Sequence, residues 1–277
     1  MSTVYKKPLT LSGQVQYLED TKNVTYNIIT KKEAEQILLT HCYINVITPF
    51  KHRFALKNRK TGISIRDENG KHQYPRKVDF SEYYQAYTEE RASYLDIFNN
   101  IMSFETVFNS VTAYTVEQYY NLDSTNNFTA FFRSLDSNAI KMANINPQAK
   151  KRVQKMRDAI ARFPADLADY NSIYIFLDRL MLNDLITIFR CCDEAARSDI
   201  FKCLLTNNMT FGYSTLESFD LFLTKLAQIR NYVCHFSSLE VLVCYSDFKT
   251  KTVRHKSQMS AYRKAIAKLA GKPKNSA

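Results

Sequence analysis

A chain of 277 residues with 45% hydrophobic and 23% charged residues can bury a sizeable core, which excludes a globally disordered protein. Its 5 glycines and 6 prolines are too few for a turn-rich all-β fold, and their spacing excludes the phosphate-binding loops of ATPases, GTPases and classical nicotinamide enzymes. The 38 Lys and Arg outnumber the 27 Asp and Glu, and the net charge of +11 favours a polyanionic partner such as RNA, DNA or an acidic membrane surface.

Two short helices are predicted within residues 10–42. Ser12 is placed to cap the first helix, and Thr30 is placed to cap the second with Glu33 as its capping-box partner. The next forty residues differ, because polar and apolar residues alternate around turn signals. This pattern predicts a small basic β-hairpin, formed by residues 53–57 and 63–66 with turns at 60–62 and 68–70.

From residue 81 onwards the chain is predicted to be almost entirely helical. Residues 81–121 lack Gly and Pro and carry an apolar residue at every third or fourth position, which predicts one long helix. Residues 122–147 are rich in Asn, Ser and Asp, which predicts a loop with a short helix. The remaining predicted elements are helices at 150–163, 173–192, 193–205, 217–236 and 257–269, a loop at 206–215 and a β-prone stretch at 239–245.

The predicted fold class is therefore mainly α, with two regions. Residues 1–80 are expected to form an N-terminal helical region with the basic hairpin. Residues 81–277 are expected to form a helical domain that ends in a basic C-terminal helix.

The six cysteines form no Cys-x-x-Cys pair, so neither a structural zinc site nor a redox motif is indicated, and we expect reduced thiols and no cofactor. The N-terminus has no apolar signal core, and the most apolar segment, residues 173–189, is interrupted by polar and charged residues. We therefore expect a cytoplasmic protein with no membrane partner.

Basic residues are concentrated in two clusters. One lies around residue 150, and the other is the C-terminal segment from Lys249, which contains no acidic residue. Clustering of one sign favours a nucleic acid, although ordinary solubilising charge is the simpler alternative. We expect RNA to contact these residues: Lys150, Lys151, Arg152, Arg254, Lys256, Arg263, Lys264 and Lys268.

The helix predicted at 217–236 is the most informative element. Its apolar residues recur in steps of three and four and make a single stripe that we expect to be buried: Phe219, Phe222, Leu226, Ile229, Val233 and Phe236. Asn231 and His235 fall nearly opposite this stripe, and Arg230 falls between the two faces.

Arg230 and His235 together could cleave RNA without a metal ion. An imidazole exchanges a proton near neutral pH, and a guanidinium matches the geometry of a phosphate. The base would deprotonate a 2′-hydroxyl, and the cation would stabilise the phosphate under attack. Spacing alone does not distinguish this chemistry from a surface histidine near a salt-bridging arginine.

The segment Arg230–His235 resembles the Arg-x4-6-His signature of the HEPN ribonuclease superfamily, in which a polar residue, here Asn231, usually follows the arginine. Other segments resemble abortive-infection proteins of the AbiD/AbiF type, and the likeness covers roughly residues 7–245. These segments are Lys7–Thr10, Gln14–Leu18, Ile44–Phe50, Ile101–Glu105 and Leu182–Leu185.

The chain departs from that family's pattern at three places. Asn109 stands where an arginine is common, Phe236 stands where a second histidine commonly follows the first, and Ser238–Glu240 replace an Arg-Leu-Trp-Asn segment.

The resemblance implies a HEPN-like helical bundle that acts as a metal-independent endoribonuclease and toxin in anti-phage abortive infection. It implies catalytic roles for Arg230, Asn231 and His235, and an accessory role for Glu105 in orienting the arginine or the histidine. It also implies a homodimer in which two such helices share one cleft, and a non-coding RNA as a neutralising partner. The alternatives are a HEPN scaffold that binds a structured RNA without cutting it, and a regulator that contacts DNA or a protein.

Overall fold

The structure is a computed structural model that describes residues 9–59, 64–68, 72–122, 125–145, 154, 157–158, 173–247 and 252–271. The predicted mainly α fold class, with small β elements, is confirmed. The chain forms two compact units, one built from Met1–Phe98 with Gln228–Ala277 and the other from Asn99–Ala227. The boundary predicted after residue 80 and the HEPN-like character of the bundle stay predictions.

The first unit contains both ends of the chain. Its helices are α1 (Leu11–Lys22), α2 (Lys31–His41), α3 (Tyr43–Val46), α4 (Lys51–Phe54), α5 (Phe80–Ala92), the start of α6 (Tyr94–Tyr120), the end of α11 (Leu216–Cys234), α12 (Leu239–Cys244) and α13 (Lys256–Leu269). Its strands are β1 (Val24–Thr25) parallel to β2 (Val78–Asp79), and β3 (Tyr245–Asp247) antiparallel to β4 (Thr252–Val253).

The second unit is described as helices, with an aromatic core. Besides most of α6 and α11, its described helices are α7 (Thr125–Ile145), α8 (Ile173–Asp178), α9 (Leu182–Cys191) and α10 (Glu194–Thr206). Phe104 stacks on Phe108 with ring centroids 5.1 Å apart, and Phe108 meets the edge of Phe189 at 5.5 Å. All three rings are fully buried, so aromatic packing supplies much of the apolar burial in this unit.

The capping predictions for the first two helices have different outcomes. Thr30 and Glu33 form the predicted capping box at the start of α2, with the Thr30 amide donating to Glu33 at 2.8 Å. For α1 the predicted cap is wrong, because the hydroxyl of Thr10 and not that of Ser12 accepts from the Gly13 amide, at 3.1 Å. Ser12 lies inside the first turn of α1 and cannot serve as its N-cap.

The region predicted as a basic hairpin is partly helical. Arg53 and Phe54 belong to α4 and not to a strand. Antiparallel bridges join Lys57 to Ser64 and Arg66 to His72, and the residues of the predicted turns at 60–62 and at 69–70 lie outside the described part of the chain. The Ser64 hydroxyl forms a hydrogen bond with buried His52, which ties the bridged segment to α4.

Three other predictions for secondary structure are wrong. The long helix predicted at 81–121 is two helices, because the chain turns at Ser93, whose hydroxyl donates to the Glu90 carbonyl at 2.8 Å and competes with helical bonding. Residues 122–147 are predicted to be a loop with a short helix, but Thr125–Ile145 form the long helix α7, in which Phe131, Leu135 and Ala139 recur every fourth residue and are buried. The β-prone stretch 239–245 is largely helix α12.

Candidate active site at the end of helix α11

The candidate site lies at the C-terminal end of α11, a helix fixed by the apolar stripe that the sequence predicts. Five of the six predicted stripe residues are buried: Phe219, Phe222, Leu226, Ile229 and Val233. On the other faces, Arg230 is half-buried, whereas Asn231 and His235 are exposed. Burial of the stripe therefore leaves the amide and the imidazole available to a ligand.

His235 directly follows the last helical residue and continues the helical hydrogen bonding. Its backbone N–H donates to the Asn231 carbonyl at 3.1 Å. Asn231 and His235 are therefore one helical turn apart, which places their side chains on the same side of the helix end. Arg230 precedes Asn231 directly, so the three predicted catalytic residues belong to one short segment of the first unit.

The helix ends in a two-bond turn immediately after His235. The Phe236 N–H donates to the Val233 carbonyl at 3.1 Å, and the Ser237 N–H donates to the Tyr232 carbonyl at 2.8 Å. Phe236 has a φ of 51°, the left-handed conformation in which such turns usually place glycine. The prediction that Phe236 extends the buried stripe is wrong: the turn rotates its side chain away, and the ring is 70% exposed.

Two residues from the α5–α6 region hold the segment that follows the turn. The hydroxyl of Tyr94 donates to the Ser237 carbonyl. The Glu90 carboxylate accepts from the Glu240 backbone N–H at 2.7 Å and from the Ser238 hydroxyl at 3.2 Å. Glu90 therefore caps the N-terminus of α12, where unpaired amides and the helix dipole favour a negative group.

The partly buried position of Glu90 changes the pKa of its carboxyl. Burial raises the pKa of its carboxyl, while the hydrogen bonds from Glu240 and Ser238 act in the opposite direction. Glu90 is therefore protonated more readily than a carboxyl in water. Its ionised form is nevertheless the better acceptor for the α12 amide.

Arg91 places a further guanidinium beside the candidate site. Its guanidinium carbon lies 4.9 Å from the ring centroid of Tyr94, 5.3 Å from that of Tyr87 and 5.9 Å from that of Phe236. Positive charge over aromatic faces is attracted by the ring electrons. Neither Arg91 nor Glu90 was predicted from the sequence, because a Glu-Arg pair near the end of a polar helix has no specific signature.

The basic residues that are predicted to contact RNA differ in their exposure and in their partners. Lys256 and Lys264 are exposed on α13, and Lys268 is half-buried there. Arg254 donates through Nε to the Leu242 carbonyl at 2.9 Å, and its guanidinium lies 4.4 Å from the Tyr262 ring centroid, so this side chain joins α12 to α13. Arg263 forms an ion pair with Glu240 at 3.4 Å.

The other predicted site residues lie elsewhere. Glu105 is half-buried on α6 within the second compact unit, and its accessory role stays a prediction. Lys150, Lys151 and Arg152 lie outside the described residues. An open cleft of about 230 Å³ in the first unit is lined by residues of α4, α5, α12 and α13, among them Glu90, Glu240 and Arg263.

Two absences among the described residues concern metal ions and membranes. Within them, no group of three or more His, Cys, Asp or Glu side chains is placed to hold a metal ion. No helix in the described ranges has both the length and the apolar character needed to cross a membrane. The expected lack of a cofactor and the cytoplasmic location stay predictions.

Comparison with known proteins gives one family. No curated protein and no solved structure matches the chain. A family model described as Abi-like protein matches residues 36–239, which is more than half of the chain and includes Glu90, Arg91 and the segment Arg230–His235. The chain therefore belongs to the Abi-like protein family, a family of abortive-infection proteins.

Proposed function

We propose that this protein is a metal-independent endoribonuclease that acts as a toxin in abortive infection. The observation that carries the proposal is the end of α11, where exposed His235 and Asn231 and half-buried Arg230 lie within six residues and the turn that follows is held by Tyr94. Membership of an abortive-infection family and the net charge of +11 support it, because a growth-arresting nuclease must bind a polyanion.

In this proposal each residue has one chemical task. The imidazole of His235 removes the proton from an RNA 2′-hydroxyl, and that oxygen attacks the adjacent phosphorus. The guanidinium of Arg230 stabilises the negative charge that accumulates on the phosphate, and Asn231 donates a hydrogen bond to a phosphate oxygen. The P–O5′ bond breaks, and a proton supplied to the leaving oxygen completes the reaction.

The leaving oxygen requires an acid on the side of the phosphorus opposite to the base. A single copy of the motif supplies one histidine, whereas a two-fold pair of chains supplies two. We therefore propose a homodimer in which two α11 ends face one RNA phosphate. The basic residues Lys256 and Lys264 would extend contact along the substrate or along a neutralising non-coding RNA.

The experiment is cleavage of total RNA by the purified protein and by the His235→Ala variant. We expect wild type to cut and His235→Ala to lose at least about 100-fold of the rate, because general acid–base groups contribute on the order of 10²–10⁴. The matched control is Gln36→Ala, an exposed polar residue on α2 in the same compact unit, which should cut like wild type. A fully active His235→Ala protein would contradict the proposal.

A second function is favoured by one observation, the half-burial of Arg230. A guanidinium that is partly enclosed can serve the fold more than the substrate, which fits a scaffold that binds a structured RNA without cutting it. Tight RNA binding by wild type without any cleavage product would select this function over the nuclease.

A further inference from the structure

Phe236 combines a left-handed backbone conformation with an exposed aromatic ring. Its φ of 51° lies in the left-handed region, which is strained for a large side chain and which glycine or asparagine adopts more readily. The ring is 70% exposed, so apolar burial does not offset that strain. Strained residues of this kind are concentrated at functional sites, because the surrounding structure must hold them there.

The turn holds the Phe236 backbone firmly. Hydrogen bonds from the Phe236 and Ser237 amides close the end of α11, and Tyr94 donates to the Ser237 carbonyl on the next residue. An exposed ring on a fixed backbone loses little further freedom when it binds a ligand.

A cation already lies against this ring. The Arg91 guanidinium is 5.9 Å from the Phe236 ring centroid, and it is held in place by Tyr94 and Tyr87. An aromatic ring and an adjacent arginine are the groups on which unpaired nucleobases stack, the ring through its face and the arginine through its guanidinium plane and charge.

We propose that Phe236 is a base-stacking residue that binds an unpaired nucleotide of RNA next to the phosphate held by Arg230 and His235. This inference rests on the proposed function, since it takes RNA as the substrate of the same site. Phe236 directly follows His235, so a base on its ring belongs to a nucleotide next to the reacting phosphate.

The stack requires a single-stranded substrate. In an RNA duplex both faces of each base are covered by neighbouring bases, whereas a loop or an unpaired segment exposes them. Phe236 therefore selects unpaired RNA and has no preference for sequence, because every base has an aromatic face.

The test compares Phe236→Gly and Phe236→Tyr, both made in the His235→Ala background so that bound RNA stays intact. The probe is a short fluorescent single-stranded RNA, alone and annealed to its complement. We expect Phe236→Gly to weaken binding of the single strand by roughly 10-fold, the loss of one stacked base, and to leave duplex binding unchanged. Phe236→Tyr keeps the ring and should bind like its parent.

Thermal unfolding of the same variants separates stacking from a structural role. Glycine removes the left-handed strain, so Phe236→Gly should melt at a higher temperature than its parent while it binds RNA less well. A residue that only supports the fold would lose stability and binding together. The matched control is Leu95→Ala, which truncates another exposed apolar side chain, 67% exposed, in the same compact unit and should leave RNA binding unchanged.

Two results would overturn the inference. One is unchanged single-strand affinity in Phe236→Gly. The other is a shift from dimer to monomer in sedimentation of Phe236→Gly, which would show that the ring contacts a second copy of the chain and not a base. Failure of the nuclease proposal has a different signature, because wild type would then leave RNA uncut while Phe236→Gly still weakened its binding.

Discussion

Phe222 and Phe236 belong to the same apolar stripe of the helix predicted at 217–236, but their side chains have opposite environments. Phe222 is fully buried, with ring centroids 4.8 Å from Tyr213 and 5.4 Å from Phe211. Phe236, with the same side chain at the expected helical spacing, is 70% exposed. One change in backbone conformation, a positive φ directly after His235, separates core from surface.

The difference shows how a helix fixed by a buried stripe can end in an exposed polar surface. Apolar residues fix α11 along most of its length, whereas the segment that follows the helix is held by Tyr94, which donates to the Ser237 carbonyl, and by Glu90, which accepts from the Glu240 amide. The side chains of Asn231 and His235 at that end are exposed. Variants on the two parts of the helix should separate stability from activity.

The largest expected effect is on stability. Phe222→Ala removes a buried ring and should lower the free energy of unfolding by about 3–5 kcal/mol, the usual cost of this truncation in a core. Urea denaturation followed by circular dichroism measures it. The neighbouring Leu221→Ala, which is exposed, should stay within about 0.5 kcal/mol of wild type. Equal losses of stability in Phe222→Ala and Leu221→Ala would contradict the claim that the buried stripe fixes α11.

Arg230→Ala should have the opposite signature, a large loss of activity with a small loss of stability. Loss of a group that stabilises the phosphate should slow RNA cleavage by about 10²–10³-fold. Arg230→Lys should restore only part of the rate, because an ammonium lacks the planar fork of the guanidinium. Single-turnover cleavage measures both variants, and complete rescue by lysine would show that charge alone is needed.

Glu90→Ala tests whether the segment that follows the turn depends on the cap that Glu90 provides at the N-terminus of α12. The variant leaves the Glu240 amide without its acceptor, and we expect the free energy of unfolding to fall by about 1–3 kcal/mol. The matched control is the neighbouring Glu89→Ala, which removes an exposed carboxylate and should stay within about 0.5 kcal/mol of wild type. Equal loss in both variants would show that the cap contributes nothing special.

The raised pKa of Glu90 predicts a pH dependence whose sign is fixed. The folded state holds this proton more tightly than the unfolded state, so the group favours folding at low pH and loses that contribution as the pH rises above 4.5. Glu90→Gln cannot titrate. The stability of wild type relative to Glu90→Gln should therefore fall as pH rises, and a difference that grows with pH would contradict the assignment.

The smallest expected effect concerns α13. Replacing Arg263, Lys264 and Lys268 by Ala should weaken RNA binding and flatten its salt dependence, because each phosphate contact contributes roughly 0.7–0.9 to the logarithmic slope. Binding measured at several salt concentrations tests this. Lys32→Ala, an exposed lysine on α2, is the control that should leave the slope unchanged. An unchanged slope in the triple variant would mean that α13 is a solvated surface.

Local patterns in the sequence predicted the parts of the fold that depend on neighbouring residues. The capping box of Thr30 and Glu33 and the stripe from Phe219 to Val233 are confirmed, because each involves residues a few positions apart. The stretch 239–245 is predicted to be β-prone, but all of it except Tyr245 forms α12. The N-terminus of this helix is capped by the carboxylate of Glu90, which lies 150 positions away in the chain from Glu240.

The candidate site shows the same limit. Arg230, Asn231 and His235 are predicted as catalytic because they lie within six residues on one helix and match a family signature. Arg91 and Glu90 were missed, since their proximity to the turn arises from tertiary structure. The exposure of Phe236 was also missed, because periodicity assumes that the helix continues and nothing local marks a phenylalanine as the left-handed residue that ends it.

The central claim, that the end of α11 cleaves RNA by 2′-hydroxyl attack, is tested most directly by the chemistry of the products. Wild type should produce fragments that end in a 2′,3′-cyclic phosphate, with or without EDTA, and should not cut a substrate whose 2′-hydroxyl at the cleavage position is replaced by hydrogen. His235→Ala should give none of these fragments. Products that end in a 3′-hydroxyl, or cleavage of the 2′-deoxy substrate, would contradict the account.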